Sequence, residues 1–453
     1  MRSLRILAGI LGMTILGSAC ASVQTNEEWD RLKKDVLDRT EQEIIWEQSQ
    51  KDEATIRQEV KRLLEDRLTR QEALRIALMN NRELQSAFEE IGISKSDLIQ
   101  AGLFHNPSLG ALFRFPFHGH GTNVEIEGFF SISDFWQVPF RKKVAEAQLE
   151  TTMREVAQAV LDTVRDAKQA YDSVHFLGLT QRETATLLKK FKEICDEVKK
   201  RREFGFMTAM DVYLAEVMEA ETEMAVHRIR SALSMAKGHL DRMMGLRTDQ
   251  TGYQLSDEGP YDIRAIPEKE QAIEHALQHR LDIQIAQLKI MEARRSLKLE
   301  RTMVLREVDL GASYEREVDG DKVLGPGIDI QLPIFDQNQA QIAKAEFMVR
   351  RAKKRRQALE GEIREEIGHD LDRVRLHQKR VQILKERVIP LRHRALDYAE
   401  QWVGAMQLNR LYLLEMQKGL LESQLEYLEA QKALSHSIAD LEHHLGGRLP
   451  SLP

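Results

Sequence analysis

Beyond residue 20 the chain has no apolar run approaching eighteen residues, which excludes a membrane-spanning helix there. It holds ten prolines in 453 residues, too few to punctuate a chain made of short elements. Only two cysteines occur, Cys20 and Cys195. The formal net charge of −6 is mild and gives no reason to expect nucleic acid. No phosphate-binding loop, no G-x-S-x-G and no H-E-x-x-H is found, so an enzyme is not expected.

What fills the chain is helix-forming sequence. Charged residues make up 30%, and Leu, Ala, Glu, Lys, Arg and Gln recur at helical spacing. Met153, Val156, Val160, Val164, Ala167, Tyr171 and Val174 step by three and four, as do Leu434, Ile438, Leu441 and Leu445. These are coiled-coil seams. A sixty-residue helix of this kind is on the order of 90 Å long, beyond any compact domain. Pro390 falls inside one such stretch and predicts a kink.

The two ends of the sequence differ in character. Arg2 and Arg5 precede an apolar run from Ile6 to Leu16, then Gly17-Ser18-Ala19-Cys20. That order reads as a secretory signal over residues 1–19. The cysteine at the cleavage point resembles a lipobox, which makes Cys20 the expected site of a covalent lipid such as palmitate. A plain signal peptide with an incidental cysteine is the alternative. Ala21 and Ser22 follow in place of an inner-membrane retention residue, which favours the outer membrane. Cys195 then has no internal partner and is expected as a buried helix-face thiol. No other cofactor is expected. Residues 20–68 read as a charged tether, helical from Asn26 to Leu68, and 448–453 as a tail.

The body of the chain is duplicated. Ala73, Ala77, Leu78 and Gln85 of "EALRIALMNNRELQSA" match Ala272, Ala276, Leu277 and Gln284 of "QAIEHALQHRLDIQIA", 199 residues on. The passage around Asp134 answers that around Asp336, and Gly205 answers Gly404. The endings "LDRMMGL" and "LEHHLGG" also correspond. The first repeat occupies 69–246 and the second 268–447, with a linker at 247–267. Each predicts a helix, two strands, a very long helix, a glycine-marked turn and a further long helix. The helices fall at about 70–104, 140–203 and 208–245, then about 268–304, 338–402 and 407–445. The strands fall at about 107–117, 122–133, 306–316 and 324–334.

The strands alternate strictly. Val124, Ile126 and Phe130 share a face, as do Val308, Leu310 and Tyr314, and Ile328, Ile330 and Leu332. Each strand has the length that crosses a bilayer core when tilted. A water-soluble sheet with one buried face is the alternative. Four strands cannot close a barrel, and open edges are not tolerated in lipid. The membrane reading therefore requires an oligomer. Two chains would give eight strands and three chains twelve, and the smaller barrel is nearly filled by its own side chains.

On "LTRQEALRIALMNNRELQ", the two strand-to-helix passages and the two glycine turns, residues 70–447 resemble the TolC family of outer-membrane efflux proteins. The resemblance implies a mainly α fold with a membrane β-barrel: a homotrimer whose twelve strands sit in outer-membrane lipid above a helical tunnel in the periplasm. It implies a passive exit duct that meets an inner-membrane pump through a periplasmic adaptor. A periplasmic coiled-coil adaptor lipoprotein, a duct for drug or protein export, and a lipid-anchored hydrolase are the alternatives. Gly205 and Gly404 would mark the tips where the adaptor docks. In the family an acid often lines the tip constriction. Here Asp211 is answered by Arg410, so a latch of Arg410 with Asp397, Glu400 or Glu415 is expected beside the plainer reading of solvated charge. His118 and His120 in "FHGHG" read as a loop rather than a metal site, and His443 and His444 point apart on a helix. "LPIFDQNQ" resembles metal-exporting members, and Asp336 with Gln339 reads as a capping box opening the next helix.

Overall fold

The computed structural model of the chain describes residues 23–115, 117, 121–247, 250, 252–257, 266–404 and 410–447. Cys20, His118 and His120 lie outside the described residues. Two compact units are formed. One holds 88–156 and 285–356 with the chain up to Leu32; the other holds 33–87, 157–284 and 357–453.

The first repeat runs α3 (Arg70–Asn80), α4 (Arg82–Ala101), β1 (Ser108–Arg114), β2 (Asn123–Ser131), α5 (Asp134–Glu203) and α6 (Ala209–Met243). The second runs α7 (Lys269–His279), α8 (Leu281–Thr302), β3 (Val308–Arg316), β4 (Lys322–Ile330), α9 (Gln339–Ile383), a π-turn at Leu384–Val388, α10 (Ile389–Gly404) and α11 (Arg410–His444). The duplication read from the sequence is therefore present element by element. Before the repeats stand α1 (Asn26–Thr40) and α2 (Gln50–Leu63).

The expected single helix from Asn26 to Leu68 is corrected to these two. Glu41 takes a positive φ of 56°, and Ser49 caps α2 by accepting from the Asp52 N–H. A side-chain cap offers the chain an alternative to continued helix.

The helices expected at 70–104 and 268–304 are each broken in two, at Asn81 and Arg280. Both break residues are extended, with ψ of 122° and 135°. The cause is tertiary. Asn81 Nδ2 donates to the Met243 carbonyl at the end of α6, and Asn80 Nδ2 donates to those of Met244 and Gly245. Arg280 Nη1 donates to the His444 carbonyl at the end of α11. Each break thus satisfies the orphan carbonyls of the helix that ends its own repeat. Gly245 and Gly446 complete the match, with φ of +63° and +83°.

The helix expected from about residue 140 starts earlier, at Asp134, and carries Pro139 inside it. The Phe135 carbonyl that loses its partner belongs to an exposed residue near the helix start. The kink expected at Pro390 appears as the π-turn just before it, closed by the Ile389 N–H on the Leu384 carbonyl.

In the second unit, the buried faces of the repeats form matching clusters. Ala73, Ile76 and Met79 pack with Tyr171, Val174, Leu240 and Met244. Ala272, Ile273 and Ala276 pack with Ile363, Ile367, Leu371, Leu441 and Leu445. Tyr171 and Val174 of the first expected seam, and Leu434, Leu441 and Leu445 of the second, lie in these clusters. Cys195 is buried with Leu187, Phe191, Leu414 and Leu421, as expected of a helix-face thiol. No described helix is long and apolar enough to cross a membrane.

Candidate functional site

The four strands form one antiparallel sheet in the order β1-β2-β3-β4. Ile126 stands between Ala111 and Tyr314, and Tyr314 opposes Leu324. Phe130 opposes Leu310, which opposes Ile328. Directly opposed residues share a face. Val124, Ile126, Phe130, Leu310, Tyr314, Ile328 and Ile330 therefore lie together, joined by Leu109, Ala111, Phe113, Ala312, Leu324 and Pro326. The face is apolar across all four strands except at the end of the β3–β4 hairpin, where Arg316 and Lys322 oppose each other. Among the described residues its centre is uncovered: Leu109 and Leu324 are each 76% exposed and Ile328 60%.

Two members of the expected face are corrected. Val308 is only 7% exposed; it lies where the chain bends into α5, and its carbonyl takes the Ile132 and Ser133 N–H groups. Leu332 lies beyond the last ladder pair, since β4 ends at Ile330. The strands are also shorter than expected at β1 and β4.

The opposite face is polar. It carries Glu125, Glu127, Asp309, Glu315 and Asp329 against one cation, Arg114, which bonds Glu125 at 2.7 Å. Asp309 and Asp329 are directly opposed. Like charges in that position repel, which suits a wet surface and not a packed one. Phe129 interrupts this face and lies over the glycines: a Cβ on Gly311 would stand 2.4 Å from its ring.

The sheet joins α5 through a buried carboxylate. Asp134, fully buried, accepts from the His105 backbone N–H at 2.6 Å and from Arg141 Nη2 at 3.1 Å, with His105 Nδ1 at 2.9 Å. Gln137 Nε2 donates to the Arg306 carbonyl at 2.8 Å. Its repeat mate Asp336 is exposed and differs in role. The reading of Asp336 as the cap of α9 is corrected: Asn338 stands at the cap with a φ of +58°, and Asp336 accepts from the Asn338 N–H. Asn338 also donates to the Glu300 carbonyl and carboxylate. An αL position that asparagine tolerates lets its amide tie α9 to α8. Sequence spacing equated the two aspartates. Only the exchange of Ser-Asp for Asp-Gln-Asn signals that they differ.

At the other end of the helices, Gly205 has a φ of +76° and closes the α5–α6 turn, with the Phe206 N–H on the Arg201 carbonyl at 2.9 Å. Gly404 ends α10, and the turn after it lies outside the described residues. Asp211 belongs to a capping box: its carboxylate accepts from the Thr208 N–H and hydroxyl, and its own N–H bonds the Thr208 oxygen. Asp397, Glu400 and Glu415 are exposed. Arg410 opens α11, and its side chain lies outside the described residues.

His443 and His444 do point apart, and each finds a carboxylate. His443 Nε2 stands 2.5 Å from Asp162, and His444 Nδ1 stands 2.5 Å from Asp370. Burial pushes both carboxyls up, but the histidine contacts outweigh it, aided by Gln158 and Arg165 at Asp162 and by Arg373 at Asp370, so both lie below the usual range. Sequence reading missed these contacts, because the partners lie far apart in the chain. Among the described residues no group of three or more metal-ligating side chains gathers.

Residues 272–447 match the outer membrane efflux protein family. The chain is also 21% identical over 374 residues to the cobalt-zinc-cadmium resistance protein CzcC of Cupriavidus metallidurans, covering 80% of this chain and 86% of that one. Solved structures share the fold of this chain. CusC aligns with a TM-score of 0.70 at 15% identity, over 83% of this chain and 92% of CusC. The Campylobacter jejuni CmeC outer membrane channel aligns with a TM-score of 0.73 at 14% identity, over 83% and 85%. The family whose model matches the second repeat is one of outer membrane efflux proteins.

Proposed function

We propose that this chain is the exit duct of a tripartite efflux system, working as a homotrimer whose twelve strands close one barrel in outer-membrane lipid. The observation that carries the reading is the sheet: four strands, one apolar face exposed, one acidic face, and two unpaired edges. Lipid accepts the apolar face and forbids the edges. Closing the edges on further copies removes them and turns the acidic face into a water-filled bore. The cargo reading follows from charge. Five carboxylates and one guanidinium per chain face that bore, which favours cations. The relative named for cobalt, zinc and cadmium resistance and the "LPIFDQNQ" wording support metal cations. Cys20 carries the lipid, and the tips at Gly205 and Gly404 meet the adaptor, with Arg410, Asp397, Glu400 and Glu415 as a latch.

The mature protein in detergent should have the mass of a trimer, and in planar bilayers it should pass cations in preference to anions. Asp309→Asn with Asp329→Asn should weaken that preference. A monomer that stays soluble without detergent would sink the duct; an anion-selective trimer would sink only the cation cargo. Palmitate labelling lost in Cys20→Ser checks the anchor.

A further inference from the structure

The sheet order decides which helices flank its open edges. β1 and β4 are the edge strands. α4 leads into β1 and α9 leaves β4, both at the same end of the sheet. If β4 of one copy pairs with β1 of the next, α9 of the first must run beside α4 of the second, in the opposite direction. This step rests on the oligomeric barrel proposed above.

The free faces of these helices are complementary. On α4, Glu90, Ile93 and Asp97 share one stripe at i, i+3, i+7 spacing, all exposed, with Ile93 54% exposed. Phe88 and Ile91, fully buried, lie on the other side. On α9, Lys344, Phe347 and Arg351 share one stripe at the same spacing, with Phe347 63% exposed and Arg350 stacked on its ring at 4.2 Å. Ala345, buried, faces away from it. Asp97, Ile93 and Glu90 stand four, eight and eleven residues before the end of α4 at Ala101. Lys344, Phe347 and Arg351 stand five, eight and twelve residues after the start of α9 at Gln339. With the two helix ends set level, at 1.5 Å per residue the three pairs agree to within about 2 Å. An antiparallel pairing therefore sets Asp97 against Lys344, Ile93 against Phe347 and Glu90 against Arg351: acid on base, apolar on apolar, acid on base.

We propose that the seam between neighbouring protomers below the barrel is this α9–α4 pairing, with Ile93 and Phe347 as its apolar centre and Glu90–Arg351 and Asp97–Lys344 as its charge clamps. The occupant of each stripe is a second copy of this chain. The seam is heterologous, since the stripe on α9 meets a different stripe on α4, so it closes a ring and not a twofold dimer. The charges fix the partner, because pairing either stripe with its own copy sets like charges together, while direction follows from the strand pairing at the sheet edges.

The test uses the full-length lipoprotein in a Cys195→Ser background. Under oxidation I93C with F347C should give a covalent trimer on a non-reducing denaturing gel, while either substitution alone should stay monomeric there. Independently, Glu90→Lys or Arg351→Glu should lower the fraction of trimer that survives mild denaturant by at least about threefold, and the two together should restore it to within about twofold. A protein with trimer mass that neither cross-links nor shows this rescue overturns the seam and leaves the duct standing. A monomer in detergent overturns the duct itself and the seam with it.

Discussion

Gly245 and Gly205 have nearly the same backbone, with φ of +63° and +76°, yet they answer to different constraints. A Cβ on Gly245 would stand 2.1 Å from the Asn80 carbonyl oxygen, whereas a Cβ on Gly205 meets nothing within 4 Å. Gly205→Ala should therefore cost only the left-handed backbone penalty, about 1–2 kcal/mol. Gly245→Ala adds a backbone collision that no rotamer relieves, and it should lower the thermal unfolding midpoint clearly further. Equal losses in the two variants would mean the α6 ending is not seated on α3 as described. Both glycines were legible as turn residues. That one of them is a seat for a helix end was not, because the colliding carbonyl comes from 165 residues away.

At the scale of elements, the seating of α11 is sensitive to acid, and the sign can be worked out. Asp162 and Asp370 have lowered folded values, so their contribution is present above the ordinary carboxylate range and lost as pH falls through those lowered values. His436 on α11 is shifted the other way for its type: burial pushes it down, although Asp172 and Asp440 pull it up. A histidine held neutral in the fold contributes above its ordinary value near 6.5 and loses that contribution as pH falls below it. Stability should thus decline in two stages on acidification, first below about pH 6.5 and again below about pH 4. His436→Gln should flatten the first stage in a pH series of unfolding midpoints. An unchanged first stage would assign it to other groups. Helical lengths and the Pro390 kink were readable from periodicity, because each helix repeats its own core spacing. The breaks at Asn81 and Arg280 were not, because both residues sit in continuous helical pattern and leave it only to serve carbonyls of another element.

At the scale of the whole molecule, the proposed duct rests on the two faces of the sheet. Ile328 and Asp329 are neighbours in β4 that face opposite ways. Ile328→Lys puts a charge on the apolar face and should cost about 2–4 kcal/mol in lipid at mid-depth. The yield of folded trimer in outer-membrane fractions should fall sharply. Asp329→Lys places the same charge toward the proposed bore and should spare assembly while lowering the preference for cations in bilayer recordings. Assembly lost equally in both variants would contradict the assignment of faces.

The sequence alone determined the duplicated plan, the long helices, the four strands and which strand residues share an apolar face. These follow from periods of 3.6 and 2 and from local turn chemistry, which act within a few residues. Only the tertiary structure decided that Val308 is covered, that Asp134 is a buried lock while Asp336 is an exposed residue beside Asn338, and that His443 and His444 meet carboxylates on two helices. It also decided that α4 and α9 flank the edge strands of the sheet, the placement on which the proposed seam rests. Those facts depend on side chains brought together across the whole chain, and no local period encodes them.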